Sequence, residues 1–144
     1  MKVLLLNGSP RKEGCTFTAL SEVAKTLNQN GIDTEIFQAG DPDKDNVKAA
    51  AAKLKEADAL VVGSPVYWAS PTGQIIEFMD KLCSMAGKDM LHKPAAAVAS
   101  ARRAGTTATL DVLQKIFQLS RDAGCICKLL EYGTRQYSGR GTAG

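Results

Sequence analysis

The sequence predicts one α/β domain: a doubly wound parallel sheet with helices on both faces. Three observations predict it. Apolar runs of strand length alternate along the chain with segments whose apolar residues recur at helical spacing. The first, third and fourth strand-like runs are continuously apolar, as strands covered on both faces are, and the second alternates. Loops rich in Gly, Ser, Arg and Thr follow the first, third and fourth strands, which a doubly wound sheet gathers at one carboxyl edge. With 144 residues, 44% of them hydrophobic, the chain can build one continuous core.

In order, Val3–Leu6 is the first strand, and Leu20, Val23, Ala24 and Leu27 mark the inner face of a helix. Gly31 turns the chain into a second strand, Ile32–Phe37. The Asp- and Gly-rich stretch Ala39–Asn46, with Pro42, is a loop. Val47, Ala50, Ala51 and Leu54 then define a helix whose alanines allow close packing. Ala59–Val62 is a third strand, and Thr72–Met85 a helix with Ile75, Met79 and Leu82 inward. Pro94 precedes the small-residue strand Ala95–Ala99, and Leu110, Leu113, Ile116 and Phe117 give a further helix. Right-handed crossovers join the strands.

A formal charge of +3, with acids and bases interspersed, gives nucleic-acid binding no support, so small-molecule partners are expected. No segment reaches membrane-spanning length, and the N-terminal apolar run is too short for a signal-peptide core, so a cytoplasmic protein without membrane contact is expected. Cys15, Cys83, Cys125 and Cys127 contain no C-x-x-C pair, and no His or further Cys completes a tetrahedron around Cys125 and Cys127. No metal is expected. Lone His92 reads as a loop residue.

The stretch Asn7-Gly8-Ser9-Pro10-Arg11-Lys12-Glu13-Gly14-Cys15-Thr16 joins a buried strand to a helix through a phosphate-sized loop. Gly8 permits unusual backbone angles, and Ser9, Arg11, Thr16 and the helix N–H groups can surround a phosphate, with Arg11 as its fixed charge. Other phosphate motifs fail. Five residues separate Gly8 from Gly14 and no Lys follows Gly14, so this is not a Walker loop. No cysteine has Arg six positions later, which excludes a Cys-phosphatase loop. Gly139-Arg-Gly141-Thr-Ala-Gly144 spells the dinucleotide string with no strand leading into it and no helix after it, and is a chance match.

Three loops, Asn7-Gly-Ser-Pro-Arg11, Gly63-Ser-Pro-Val-Tyr67-Trp68 and Ser100-Ala-Arg-Arg103-Ala-Gly-Thr-Thr107, resemble the flavin loops of the flavodoxin-like NAD(P)H-dependent FMN reductase family, over about residues 1–120. The resemblance implies FMN as cofactor, NAD(P)H as co-substrate, and hydride transfer through flavin to a quinone, nitro or azo compound, flavin or protein acceptor. It implies a homodimer by family habit. Ser9, Arg11, Cys15 and Thr16 would take the phosphate; a thiol at Cys15, where many relatives carry Asn, donates more weakly. Pro65, Val66, Tyr67 and Trp68 would line the isoalloxazine edge, with ordinary packing as the plainer role for Trp68. Ser100, Arg102, Arg103, Gly105 and Thr106 belong to the loop approaching the pyrimidine end, where a guanidinium stabilises charge on reduced flavin. No protein residue need act as catalytic acid or base.

The sequence departs from the family twice. The Cys-rich insertion that binds an iron–sulfur cluster in some branches is replaced by Gln38–Asn46 without cysteine, so no cluster is expected. Residues 121–144 lack the usual Met-Pro-Val-Val, Tyr-Trp-Asn and Val-His-Gly segments, which permitted codons would spell one nucleotide out of phase. We read 1–120 as the flavin domain and 121–144 as a divergent, frameshifted tail, with the fifth strand and last helix altered or missing. Otherwise, Cys125–Leu130 forms a short fifth strand. A non-enzymatic electron carrier, disfavoured by the mild basicity, and a domain that has lost its cofactor are the competing readings.

Overall fold

The structure, a computed structural model, describes residues 1–119 and the backbone of residues 126–132. Five parallel strands form one sheet: β1 (Lys2–Asn7), β2 (Asp33–Gln38), β3 (Ala59–Pro65), β4 (Ala95–Ala101) and β5 (Ile126–Tyr132). Their order is β2-β1-β3-β4-β5. The helices between them are α1 (Cys15–Gln29), α2 (Lys44–Glu56), α3 (Gly73–Ala86) and α4 (Thr106–Leu119), with a short 3₁₀ turn at Gly87–Met90. The chain leaves β1 for β2 on one side and returns to β3 on the other, so the topological switch lies between β1 and β3.

Alternation along each strand sends neighbouring residues to opposite faces. Leu4, Leu6, Leu60, Val62, Ala97 and Ala99 pack with α2, α3 and α4, through Leu54, Phe78, Leu82 and Leu113 among others. Val3, Leu5, Ala59, Val61 and Val98 pack with Ala19, Leu20 and Ala24 of α1. Each fully buried Leu contributes about 1.5–3 kcal/mol, and the alanines of β4 let helices approach closely on either side.

The helices start differently. Asp43 caps α2 by accepting from Asp45 N, and Thr72 caps α3 by accepting from Ile75 N. Gly14 caps α1 with no side-chain hydrogen bond.

The expected elements occur within a few residues of the predicted spans. β3 and β4 run further than expected, to Pro65 and Ala101, because they pair with each other as far as Pro65 and Ser100. The fifth strand is present: β5 pairs in parallel with β4 from Ala95↔Ile126 to Ala101↔Tyr132. It lies inside the stretch set apart as a tail, close to the alternative Cys125–Leu130. The last helix falls outside the described residues, as do residues 120–125 and 133–144, so the out-of-phase reading of the tail 121–144 lies mostly outside them.

Candidate functional site

The loop between β1 and α1 is fastened from several directions. Gly8 N donates to Gly63 O at 2.8 Å and Gly8 O accepts from Thr72 Oγ1 at 2.8 Å. A Cβ on Gly8 would lie 2.7 Å from Gly63 O and from Ile75 Cβ, so only glycine fits this crossing of β1, β3 and α3. Asn7 Oδ1 accepts from Ser9 N at 3.2 Å, and its Nδ2 donates to Lys12 O at 3.2 Å and to Gln38 Oε1 at 2.8 Å. Ser9 Oγ accepts from Arg11 N at 3.1 Å. That bond uses the oxygen as acceptor and leaves the Ser9 hydroxyl proton to donate elsewhere.

Uncapped α1 begins immediately after this loop. The first-turn N–H groups of a helix have no intrahelical acceptor and carry the positive end of its dipole. α2 and α3 meet this need with Asp43 and Thr72; α1 leaves it to an external acceptor. Gly63 lets α1 sit this close to the sheet, because a Cβ there would come within 2.9 Å of Thr16 Cγ2 and Leu20 Cδ1.

After β3 the chain makes a tight antiparallel turn. Tyr67 and Ser70 exchange backbone hydrogen bonds of 2.9 and 3.1 Å, with Trp68 and Ala69 between them at φ of 51° and 58°. Consecutive left-handed residues are the signature of a type I′ hairpin turn, usually occupied by Asn and Gly. Here the turn carries a fully exposed indole: Trp68 is 100% exposed and Tyr67 47%. The β4 loop supports this turn from below. Val66 N donates to Ser100 O at 2.8 Å, and Gly105, at φ 93°, packs so closely that a Cβ would lie 2.8 Å from Ala69 Cα and from Val66 Cγ1.

These loops enclose a cavity of about 480 Å³, inside the roughly 300–1,000 Å³ range of small-molecule sites. Ser9, Arg11, Cys15, Thr16, Pro65, Val66, Tyr67, Ser100 and Arg102, all expected from the sequence, line it. Two strand spacings separate the β1 and β4 loops, roughly 10 Å, which suits an elongated ligand with a charged end and a planar end. On its floor, buried Thr16 Oγ1 and Ser100 Oγ lie 2.7 Å apart. One hydroxyl donates to the other, and the second keeps its proton for a ligand.

Trp68, Arg103, Gly105 and Thr106 are not among the lining residues. Trp68 stands out from the rim, Arg103 is exposed, Gly105 buttresses the turn, and buried Thr106 opens α4. Sequence reasoning missed Gly14 and Ala101, which do line the cavity. It also missed Gln38, whose Nε2 donates to Ser9 O at 2.6 Å. A helix entered through Gly-Cys rather than through a Ser, Thr, Asp or Asn cap was a readable signal for Gly14; nothing in spacing marks Gln38.

Arg11 lines the cavity from the β1 loop and Arg102 from the β4 loop. Cys15 is exposed at the mouth, whereas burial raises the pKa of Cys83, on α3. The main ion-pair cluster joins β2, β1 and α2. Glu35 on β2 binds Lys53 of α2 and Lys2 of β1, and these hydrogen bonds hold its carboxyl below the ordinary range. Among the described residues no His, Cys, Asp and Glu group is arranged to hold a metal.

The donor set fits a flavin mononucleotide phosphate: an uncapped helix start, the free Ser9 proton, a Thr/Ser pair with one proton to give, and a guanidinium. Residues 1–127 match the model of the NADPH-dependent FMN reductase family. The chain is 30% identical over 138 aligned positions to an iron-sulfur flavoprotein of Methanocaldococcus jannaschii, covering 81% of this chain and 72% of that one. It is 29% identical over 108 positions to an NADPH azoreductase of a Bacillus species, covering 70% of this chain and 59% of that one. Its fold matches a solved archaeal flavodoxin at a TM-score of 0.70 and 18% identity, over 93% of this chain and 86% of that one. The chain belongs to the NADPH-dependent FMN reductase family, and with that family come FMN as cofactor and NAD(P)H as co-substrate.

Proposed function

We propose that this member of the NADPH-dependent FMN reductase family holds FMN in the slot between the β1, β3 and β4 loops and works there as an NAD(P)H oxidoreductase. One observation carries the assignment of the slot: the uncapped start of α1 opens onto the same cavity as Arg11, the Ser9 hydroxyl and the Tyr67 edge. At the phosphate end, Arg11 supplies charge, and Ser9, Thr16 and the α1 N–H groups supply directed donors. Cys15, at the first helical position, contributes its backbone N–H rather than a strong side-chain bond. At the ring end, Pro65 and Val66 give an apolar wall, exposed Tyr67 an aromatic edge, and Arg102 positive charge where a reduced ring would need it. Bound FMN supplies two-electron acceptance from a nicotinamide and its return to an acceptor. The chain orients both partners and needs no proton-transferring side chain.

The acceptor we assign is a small planar molecule, quinone, nitroaromatic or azo compound, because the ring end is open and rimmed by exposed Tyr67 and Trp68. The azoreductase relative supports that class. A homodimer, with the exposed rim near the subunit contact, and a cytoplasmic setting, where NAD(P)H is at hand, complete the proposal.

The test is titration of flavin-stripped protein with FMN, followed by flavin fluorescence, then NAD(P)H oxidation with and without a quinone or azo dye. Saturable FMN binding that Arg11→Ala weakens, with acceptor-dependent NAD(P)H turnover, supports the reading. Bound flavin that NAD(P)H does not reduce would make the chain an electron carrier, and no binding at all would remove the cofactor assignment. Sedimentation velocity tests the dimer.

A further inference from the structure

The end of β2 braces the β1–α1 loop without lining the cavity. Gln38 is the last residue of β2, two strands away from β3, and is not part of the cavity lining. Its side-chain amide is consumed by the β1–α1 loop: Nε2 donates to Ser9 O at 2.6 Å and Oε1 accepts from Asn7 Nδ2 at 2.8 Å. Asn7, 1% exposed, spends its other groups on the same loop, accepting from Ser9 N and donating to Lys12 O. The two amides therefore have one consistent orientation, since turning either over would set oxygen against oxygen or nitrogen against nitrogen.

Gln38 is itself fixed. Its carbonyl accepts from Asn46 Nδ2 at 3.0 Å, and the next residue, Ala39, donates its N–H to Asn7 O at 2.8 Å. Gly40 then presses against the Ser9 carbonyl so tightly that a Cβ would lie 2.1 Å from that oxygen. An anion seat must present donors and turn acceptors away. The Ser9 and Lys12 carbonyls are two acceptors of this loop, and the Gln38–Asn7 pair engages both. Pro10 has no N–H to offset a Ser9 carbonyl turned inward.

We infer that Gln38 is a positioning residue for the phosphate seat: with Asn7 it holds the loop carbonyls away from the anion and so confers preference for the phosphorylated flavin. The inference rests on the FMN reading above. A residue that merely supported the fold would weaken FMN and riboflavin binding together, because the two flavins share the ring. A residue that shapes the seat weakens FMN alone.

The experiment titrates flavin-stripped wild type, Gln38→Met and Gln38→Leu with FMN and with riboflavin, alongside thermal unfolding. Both variants lose the two hydrogen bonds without adding charge beside the anion; Gln38→Met keeps the length, and Gln38→Leu serves if the first does not fold. We expect FMN affinity to fall about ten-fold or more in each, from the loss of two part-buried hydrogen bonds. Riboflavin affinity should stay within about two-fold of wild type, since no phosphate contact is at stake. Equal losses for the two flavins, or unchanged FMN affinity in a folded variant, overturn the inference. If wild type itself does not prefer FMN to riboflavin, the flavin reading and this inference fall together. If it does and the variants match it, only the role of Gln38 is lost.

Discussion

At the β1 end of the slot, Ser9 sits on a backbone tied to β2, β3 and α3 through Gln38, Gly63 and Thr72. At the β3 end, Tyr67 and Trp68 ride a hairpin turn with two non-glycine residues in the left-handed region and their aromatic rings in solvent. The first region has its geometry before any ligand arrives. The second stores unfavourable backbone energy, of order 1–3 kcal/mol per such residue, and is held by the Tyr67–Ser70 pair and by Gly105. A rigid seat for a constant group beside an exposed, strained rim for variable ones is the division of labour expected of an enzyme that keeps one cofactor and exchanges many partners. Preorganisation lowers the entropy lost on binding, so affinity should reside at the β1 end and acceptor choice at the β3 end.

The sharpest way to break this comparison is Arg11→Ala. Loss of a charged hydrogen-bonding partner is worth about 1.5–3 kcal/mol, so FMN affinity should fall by roughly ten- to 150-fold, read by fluorescence titration. Arg11 is exposed, so the melting temperature should not move; if it drops with affinity, the loop is not preformed. Next comes Gly8→Ala. The added methyl overlaps Gly63 O and Ile75, and overpacking of this kind costs about 1–3 kcal/mol, measurable as a lower urea midpoint with weaker FMN binding.

Ala69→Gly should act in the opposite direction. Glycine accepts a positive φ without a Cβ clash, so relief of about 1 kcal/mol should raise the unfolding midpoint while FMN affinity stays put and the KM for a bulky acceptor changes. A destabilised variant would show that the turn is not strained.

The smallest effect lies away from both regions. Glu35 has its carboxyl pKa lowered from 4.5, first by Lys53 and then by Lys2. A depressed carboxyl stabilises the fold above its unfolded pKa, and the contribution disappears as pH falls through the folded value. Glu35→Gln should therefore cost less than about 1 kcal/mol at neutral pH and nothing at strongly acidic pH. Parallel unfolding curves taken at steps from neutral pH down into the acid range test this, the difference between the two proteins shrinking as the pH falls.

The strands, helices and three loops were legible because they rest on periodicity and on residue types with few alternative uses. Leu4 and Leu5 announce a strand covered on both faces, and Ser9, Arg11 and Thr16 between a strand and a helix announce an anion. The direction of Trp68 was not legible: an aromatic in a loop reads as a wall, and only the φ values of Trp68 and Ala69 swing it outward. Gln38 was hidden for a different reason. A polar residue ending a half-buried edge strand carries no spacing signal, and its partners Asn7 and Ser9 lie far off in sequence. Thr16 and Ser100, separated by 84 positions yet 2.7 Å apart, show the same limit, since each was expected at the site but their contact belongs to the fold.

Trp68 is the chain's single tryptophan. Its indole is bathed in water at the rim while the core is built from Leu, Ile, Val, Met and Phe. With excitation at the red edge, where only indole absorbs, ultraviolet emission from this protein therefore originates at one point on the surface. It starts close to the wavelength of free indole, and unfolding the core will barely shift it. A bound ring system that absorbs in the blue lies within energy-transfer distance and will quench it. Intrinsic fluorescence is thus a poor thermometer for this molecule and a sensitive gauge of what occupies its rim.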